Sequence, residues 1–332
     1  MNRTTFIPSR HIPLKVSSEK TVSEWAEIWL ASKTARVKES TLNKYQNTLI
    51  WYILPHLGAL RPEEADAALV DEYAAFLLCE GGQNGQALSP KTVSDTVTVL
   101  KAILRFAAVS LRQAPPNLGR VCLKKESQTV DTLSVEECKN LITMLQGSKD
   151  PRDVGILLCL FTGLRVGEVC ALRWDCIQLN EKNLMIQKTL QRIQCKNTVG
   201  GPRTKVVLTS PKSSCSCRMI PLPDYVVQLL EPFYSPGECF LLSGCPDRLV
   251  EPRNMQGHFR RVLQKSKVHE THFHVLRHTF ATRCIEAGVD MKSLCEILGH
   301  ADVRITMNKY VHPTMEEKRE GMVRLQQSLM SV

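Results

Sequence analysis

Hydrophobic residues in the first third of the chain recur at the spacing of an α-helix. Trp25, Ile28 and Trp29 share one helical face, and Thr21 with Glu24 forms a capping-box pattern just before them. Three further apolar stripes follow, with the members Leu42, Tyr45, Leu49 and Tyr52; Leu69, Tyr73, Phe76 and Leu77; and Val93, Val97, Leu100 and Leu104. Residues 21–112 are therefore predicted to form a compact domain of four short helices, preceded by a flexible arm over residues 1–20.

A break in this pattern separates the helical domain from the rest of the chain. Pro115, Pro116 and Gly119 interrupt the periodicity, and polar and charged residues follow them. Residues 113–131 are therefore predicted to be a linker, which leaves residues 132–332 for a second domain.

The pattern of the second domain is mainly helical with one β element. Ser134 and Glu137 form another capping box, and the segment DVGILLCLFTGL is apolar enough for a buried helix. Between residues 182 and 222 the segments LMIQKTL, TKVVLT and RMIPLP show strand-like patterns separated by Gly and Pro, which predicts a small antiparallel sheet. Helical patterns resume at Asp224 and continue to the C-terminus.

The composition is that of a globular protein with an excess of positive charge. Apolar residues make up 43% of the 332 positions and charged residues 23%, and no apolar run is long enough to span a bilayer. The N-terminus lacks the apolar segment and cleavage site of a secretory signal, so a cytoplasmic location is expected. The formal net charge of +10 favours a polyanionic partner, because lysine and arginine neutralise phosphates with release of counterions.

Thirteen cysteines allow two interpretations, a metal or disulfide framework or ordinary thiols in a reducing compartment. No Cys-x-x-Cys pair occurs, and Cys215 and Cys217 would need distant partners to complete a zinc site. Cys159, Cys170 and Cys284 instead lie among apolar neighbours in helical patterns. The spacing therefore favours small packing residues and predicts no metal site.

The C-terminal half carries residues suited to phosphodiester chemistry without a metal. Such chemistry needs a nucleophile, cations that face the non-bridging oxygens, and an acid for the departing oxygen. His274 and Arg277 stand three residues apart, so on a helix both side chains project from one face and can meet one phosphate. His300 follows in the segment LGH, and Tyr310, ten residues later, is the candidate nucleophile, with cationic neighbours to stabilise its phenolate.

A further cation, Arg165, lies in the segment TGLRVGEVCALRW, at the junction between two predicted helices. Its guanidinium can bind a phosphate through two parallel hydrogen bonds. Glu168, three residues later, either orients Arg165 or forms an ordinary surface salt bridge with it. The downstream motif favours the orienting role.

The order of these residues resembles that of the tyrosine recombinases, the phage integrase family. The segment from HVLRHTFATRC through LGHADVRITMNKYVH is most similar to integrases of conjugative transposons and related elements of Gram-positive bacteria. The resemblance implies a mainly α fold with a small antiparallel β-sheet, in which a helical core-binding (SAM-like) domain precedes a catalytic domain. It also implies six active-site positions, which are Arg165, Lys212, His274, Arg277, His300 and the nucleophile Tyr310. Lys212 is assigned because PKSSCSCRMIPLP is similar to the family's hairpin lysine, which precedes an arginine and an Ile-Pro-Leu strand.

By this resemblance the protein is a site-specific recombinase that integrates or excises a mobile element. Tyr310 attacks a phosphodiester to form a 3′-phosphotyrosyl link and releases a 5′-hydroxyl, with no metal, ATP or other cofactor. Two alternatives stay open: a type IB topoisomerase, which shares this chemistry but relaxes DNA as a monomer, and a catalytically silent DNA-binding regulator. The complete set of site residues argues against the silent regulator.

The implied partner is double-stranded DNA, clamped between the two domains of each protomer. A homo-tetramer brings two duplexes together, an accessory excision factor assists, and no membrane is involved. Lys91, Thr92 and Lys205 are the candidate DNA contacts outside the active site. The expected location is the bacterial cytoplasm, on nucleoid DNA.

The two ends of the chain carry separate expectations. Met322, Leu325 and Leu329 form a stripe on a predicted tail helix, which packs either on its own domain or, as the resemblance implies, on a neighbouring protomer. Members of the family often carry an N-terminal arm-binding domain, for which residues 1–20 are too few.

Overall fold

A computed structural model describes residues 19–82, 84–119, 121, 123, 130–194, 204–210, 214–300, 302–310 and 315–330. The chain divides into two compact units, Met1–Ser127 (unit 1) and Gln128–Val332 (unit 2). The boundaries of the arm, the linker and the two predicted domains stay predictions. Within the described ranges, no helix combines the length and the apolar character needed to cross a lipid bilayer.

Unit 1 is built from helices that pack around one apolar core. Its α-helices are α1 (Val22–Lys33), α2 (Glu39–Thr48), α3 (Leu54–Leu57), α4 (Ala67–Cys79) and α5 (Pro90–Ser110), and a π-helical turn (Leu49–Ile53) joins α2 to α3. The predicted capping box of Thr21 and Glu24 is present, and Ser89 caps α5. Most members of the apolar stripes face inward, and Tyr73 of α4 is fully buried among them. Ile28, expected on the apolar face of α1, is 40% exposed instead. Burial of these stripes is what holds the helices together.

One helix of unit 1 was missing from the sequence prediction. The missing helix is α3, and Pro55 lies in its first turn. Proline is tolerated there because its missing N–H would have no partner within the helix.

Unit 2 surrounds a central buried helix. Its α-helices are α6 (Val135–Leu145), α7 (Pro151–Thr162), α8 (Val166–Cys170), α9 (Asp224–Leu230), α10 (Pro252–Lys265), α11 (Val275–Glu286), α12 (Met291–Leu298), α13 (Val303–Tyr310) and α14 (Met315–Met330). The predicted capping box of Ser134 and Glu137 begins α6. Residues 154–160 of α7 are buried on every side, so this helix fixes the position of the turn that follows it.

The strands of unit 2 form two small sheets where one was predicted. They are β1 (Ile177–Gln178), β2 (Asn183–Ile186), β3 (Thr189–Gln194), β4 (Thr204–Thr209) and β5 (Arg218–Pro221). One antiparallel sheet has the order β1-β2-β5, and β3 pairs with β4 in the other. The segment LMIQKTL divides between β2 and β3 because its two halves pair with different partners. The fold class is nevertheless the predicted one, mainly α with small antiparallel sheets.

Candidate active site

Arg165 lies in the short turn between α7 and α8. Gly163 ends α7 in the left-handed conformation (φ +66°), and a Cβ at this position would lie 2.5 Å from Cδ1 of Phe280. Only glycine fits this turn. Arg165 then occupies the N-cap of α8, and its side chain is 37% exposed. The turn therefore presents a half-exposed cation at the end of a buried helix.

Glu168 lies between two arginines. Its carboxylate accepts a hydrogen bond from Nη1 of Arg165 at 2.8 Å and two from the guanidinium of Arg218, at 2.9 and 3.1 Å. Burial raises the pKa of Glu168, but the hydrogen bonds and charges of Arg218 and Arg165 outweigh this effect and lower it to about 2. Because Glu168 is only 4% exposed, an ordinary surface salt bridge does not describe this contact.

Replacing Glu168 with Gln is expected to destabilise unit 2 by about 3 to 5 kcal/mol, because buried Arg218 loses its counterion. A carboxyl whose pKa is lowered by folding stabilises the folded state above its unfolded pKa, near the ordinary 4.5. This stabilisation is lost as the pH falls toward the folded value of about 2, and the Gln variant lacks that pH dependence. Urea unfolding of both proteins from neutral to acidic pH measures both effects.

The control for this experiment is Glu181→Gln. Glu181 is exposed in the turn before β2, so its replacement should change the free energy of unfolding by no more than about 0.5 kcal/mol. Equal losses in the two variants would contradict the role given to the buried ion pair.

Arg277 is a buried cation that joins two helix ends. It lies in α11 and is 1% exposed. Its Nη1 donates to the backbone oxygen of Gly163 at 2.8 Å, and its Nη2 donates to that of Leu298 at 2.6 Å. These carbonyls lie at the C-terminal ends of α7 and α12, where the helix dipole favours positive charge. One guanidinium therefore holds the turn before Arg165 beside the turn before His300.

His300 is in direct contact with Arg277. It follows Gly299, which ends α12 in the left-handed conformation (φ +66°). Nε2 of His300 lies 2.9 Å from Nη2 of Arg277, and Nδ1 lies 2.8 Å from Oγ1 of Thr306 in α13. Arg277 and His300, two of the predicted site residues, are thus brought together.

His274 stands at the N-cap of α11 and packs against a second histidine. Its ring meets the ring of His278 edge-on, with 4.4 Å between the centroids. A spacing of four residues brings both rings to one side of the helix, and the buried His278 supports His274.

The loop before His274 is anchored to the start of unit 2 by His269. Its Nδ1 lies 2.6 Å from Oε1 of Glu137, and its Nε2 lies 3.0 Å from Oδ1 of Asp131. The hydrogen bond to Glu137, followed by the one to Asp131, raises the pKa of His269 against the effect of its partial burial. Contacts of both ring nitrogens with carboxylates therefore tie this loop to the N-terminus of α6.

The remaining predicted residues of the catalytic set are not brought together by the described contacts. Lys212 lies outside the described residues. Tyr310 is the last residue of α13, so its backbone continues the helix that holds Thr306. Lys205 is exposed on β4, opposite Ile193 of β3. The catalytic and DNA-binding roles of these residues stay predictions.

The predicted DNA contacts of unit 1 lie in the first turn of α5. Lys91 is 81% exposed and pairs with Asp95 at 2.7 Å, one turn later. The backbone N–H of Thr92 donates to Oγ of Ser89 at 3.2 Å, which completes the helix cap. Both residues therefore have a local structural role, and DNA binding would be an additional one.

Arg218 is a site residue to which the sequence interpretation gave no role. It alternates with Ile220 along β5, and both side chains are buried while Met219 between them is exposed. A charged residue at an inward-facing strand position needs a buried partner. That alternation in RMIPLP was the available signal, but it did not identify Glu168 as the partner.

Among the described residues, one group of side chains is of the types that can bind a metal ion. The potential ligand atoms of Asp150, Asp153 and His258 all lie within 4.8 Å of one another. Arg152 already binds the carboxylate of Asp150, and Nε2 of His258 lies 2.6 Å from Oδ1 of Asp153. This cluster contains none of the predicted site residues. Both carboxylates therefore already have side-chain partners within the cluster.

The cysteines of the described segments are free thiols. Cys159 and Cys170 are buried, and burial raises the pKa of Cys170 to about 12. Cys284 is half-buried, and burial raises its pKa to about 11. Such thiols are inert packing residues.

Two family models match the chain. The model of the phage integrase family matches residues 131–317, and the model of the phage integrase N-terminal SAM-like domain matches residues 21–61. The first covers more than half of the chain and contains every residue of the candidate active site.

Curated relatives share about a quarter of the aligned residues. A tyrosine recombinase XerC-like protein of Caldanaerobacter subterraneus subsp. tengcongensis is 26% identical over an alignment of 260 positions, which covers 71% of this chain and 66% of the relative. The integrase of Staphylococcus phage L54a is 24% identical over an alignment of 230 positions, which covers 61% of this chain and 64% of the relative. The matched region thus spans about two thirds of the length of these relatives.

Solved structures show the same fold. A Tn1549 transposon integrase in complex with a circular intermediate DNA has a TM-score of 0.72 and 23% identity, covering 92% of this chain and 100% of that one. A lambda integrase tetramer bound to a Holliday junction has a TM-score of 0.63 and 17% identity, covering 89% of this chain and 80% of that one.

Proposed function

This chain belongs to the phage integrase family, and we propose that it is a site-specific DNA recombinase that integrates or excises a mobile element. The observation that carries this proposal is the buried guanidinium of Arg277, which holds the Arg165 turn and His300 together. Hydrogen-bond donors that are already held in place around a phosphate stabilise the negative charge that develops during phosphoryl transfer. Such electrostatic stabilisation is usually the largest single contribution to catalysis.

In the proposed reaction the phenol oxygen of Tyr310 attacks the phosphorus atom. A bond forms between this oxygen and phosphorus, the bond from phosphorus to the 5′-oxygen breaks, and the phenol proton passes to a neighbouring base. Lys212 donates a proton to the departing 5′-oxygen, while Arg165 and Arg277 face the non-bridging oxygens. Attack by the 5′-hydroxyl of the partner strand reverses these steps, so the reaction conserves bond energy and needs no ATP.

DNA from the two junctions of the mobile element that carries this gene provides the test. The protein should form covalent adducts on these fragments and join them into recombinant products. Relaxation of any supercoiled plasmid, without products from the junction fragments, would indicate a topoisomerase instead. DNA binding without adducts would indicate a silent regulator.

The proposed assembly is a homo-tetramer on two DNA duplexes. Two structures of the same fold support it, since one is a lambda integrase tetramer on a Holliday junction and the other a Tn1549 integrase with DNA. The proposal also includes an accessory excision factor as a partner of the recombinase. The protein acts on nucleoid DNA in the bacterial cytoplasm, and bacterial and phage relatives support that location.

The tail helix α14 is the proposed contact between protomers. Met322, Leu325 and Leu329 are 65%, 49% and 73% exposed, so their stripe is left open to a partner. Replacing Leu325 and Leu329 with Ser should weaken cooperative assembly on a two-site DNA more than the binding of one protomer to a half-site. Gel-shift titrations on both DNAs measure the difference.

Serine replacements at Gln326 and Gln327, which are also exposed on α14, serve as the control and should change neither binding constant. Equal losses of assembly and of half-site binding in the leucine variant would show that the stripe packs on its own domain.

A further inference from the structure

Thr306 links the helix of the proposed nucleophile to the contact between Arg277 and His300. Its side chain is fully buried on α13. Its Oγ1 lies 2.8 Å from Nδ1 of His300 and 3.0 Å from Sγ of Cys295 in α12. The reaction proposed above assigns no role to this hydroxyl.

The partners of His300 determine which of its nitrogens carries the proton. Nη2 of Arg277, 2.9 Å from Nε2, can only donate a hydrogen bond, so Nε2 accepts it. The neutral ring then carries its proton on Nδ1 and donates it to Oγ1 of Thr306. Without the Thr306 hydroxyl, this hydrogen bond would be lost, and with it a restraint that keeps the ring from rotating away from Arg277.

The same hydroxyl constrains α13. Thr306 precedes Tyr310 by four residues, so the two positions lie on one face of the helix, about 6 Å apart along its axis. Because Thr306 is buried and bonded to His300, α13 cannot rotate or slide without breaking that bond. The bond therefore fixes the rotation of α13 about its axis, and with it the side of the helix on which position 310 lies.

We infer that Thr306 is a positioning residue for DNA cleavage, acting through its hydrogen bond to His300. This inference rests on the proposed recombinase function of the same site. The bond keeps the imidazole of His300 in contact with Arg277. It also fixes α13, which carries Tyr310, relative to that imidazole, so that the imidazole and the nucleophile approach the phosphate in one fixed geometry. Displacement of reacting groups by about 1 Å costs about 100-fold in rate.

Three substitutions separate this role from ordinary core packing. Thr306→Val keeps the volume of the side chain but removes the hydroxyl, and should form covalent adducts on a nicked suicide substrate about 10- to 100-fold more slowly. The Kd for DNA should not change. Thr306→Ser should restore most of the rate. Cys295→Ala, which removes the other partner of the Thr306 hydroxyl, is the matched control and should cleave at nearly the wild-type rate.

A double-mutant cycle with His300→Ala tests whether Thr306 acts through His300. The expected result is that Thr306→Val slows the His300→Ala variant no further. A second slowdown of the same size in that background, a wild-type rate for Thr306→Val, or a slow Thr306→Ser would each overturn the inference. Thermal unfolding shows whether each variant folds, and Thr306→Ala takes the place of the valine variant if that one does not.

The wild-type reaction in the same assay separates the two proposals. If the wild-type chain forms no adduct on its own junction DNA, the recombinase function and the role of Thr306 fall together. If the wild type forms the adduct and Thr306→Val matches its rate, only the role of Thr306 falls.

Discussion

Tyr310→Phe is expected to abolish covalent protein–DNA adducts while leaving the fold and the DNA affinity nearly unchanged. The substitution removes one oxygen atom, which is the proposed nucleophile, and keeps the ring. A nicked suicide substrate provides the measurement, because its cleaved fragment diffuses away and the intermediate accumulates. Since phenylalanine cannot form a phosphate ester, the expected loss is complete.

Tyr234→Phe is the matched control for this experiment. Tyr234 is 57% exposed and its ring packs edge-on against Trp174. The control variant should form adducts at the wild-type rate. An adduct that persists in Tyr310→Phe would remove Tyr310 as the nucleophile.

Lys212→Ala is expected to slow the cleavage of ordinary DNA by about 10²- to 10⁴-fold, the usual contribution of a general acid. The departing 5′-oxygen would then lack its proton donor. A substrate with sulfur at the 5′-bridging position should be cleaved at nearly the wild-type rate, because a thiolate leaves without a proton. The rate of adduct formation on the two substrates gives the comparison.

Lys205→Ala provides the contrast, since Lys205 is an exposed lysine on β4. Its loss should weaken DNA binding. The slope of the logarithm of the binding constant against the logarithm of the salt concentration should become shallower by about 1, the value for one phosphate contact. The substrate with sulfur at the 5′-bridging position should rescue little of this defect. Rescue of Lys205→Ala in place of Lys212→Ala would show that the acid has been misassigned.

Local signals in the sequence were sufficient for the family, the fold class and most helices. The capping boxes at Thr21 and Ser134 act within one helical turn, and both are present where they were predicted. The predicted family is confirmed by the model match over residues 131–317. Strand pairing depends on distant residues, and here the prediction was incomplete. Asn183 of β2 pairs with Pro221 of β5, a contact that no short-range pattern reports.

The contacts of the candidate site show the same limit. The spacing of Arg165 and Glu168 suggested their contact, because it lies within one turn. Arg277 reaches Gly163 across 114 positions of the chain, and only the packing of α11 on α7 brings them together. Periodicity placed Arg277 on a helix face, but it could not show that the guanidinium joins two helix ends.

The chemical identity of the protein–DNA link tests the proposed mechanism most directly. The trapped adduct is digested with a protease and a nuclease, and the modified peptide is identified by mass spectrometry. The mechanism predicts a single phosphotyrosyl peptide that contains Tyr310, linked to the 3′-phosphate of the cleaved strand, with a free 5′-hydroxyl on the other fragment. A link to another residue, or to a 5′-phosphate, would contradict it.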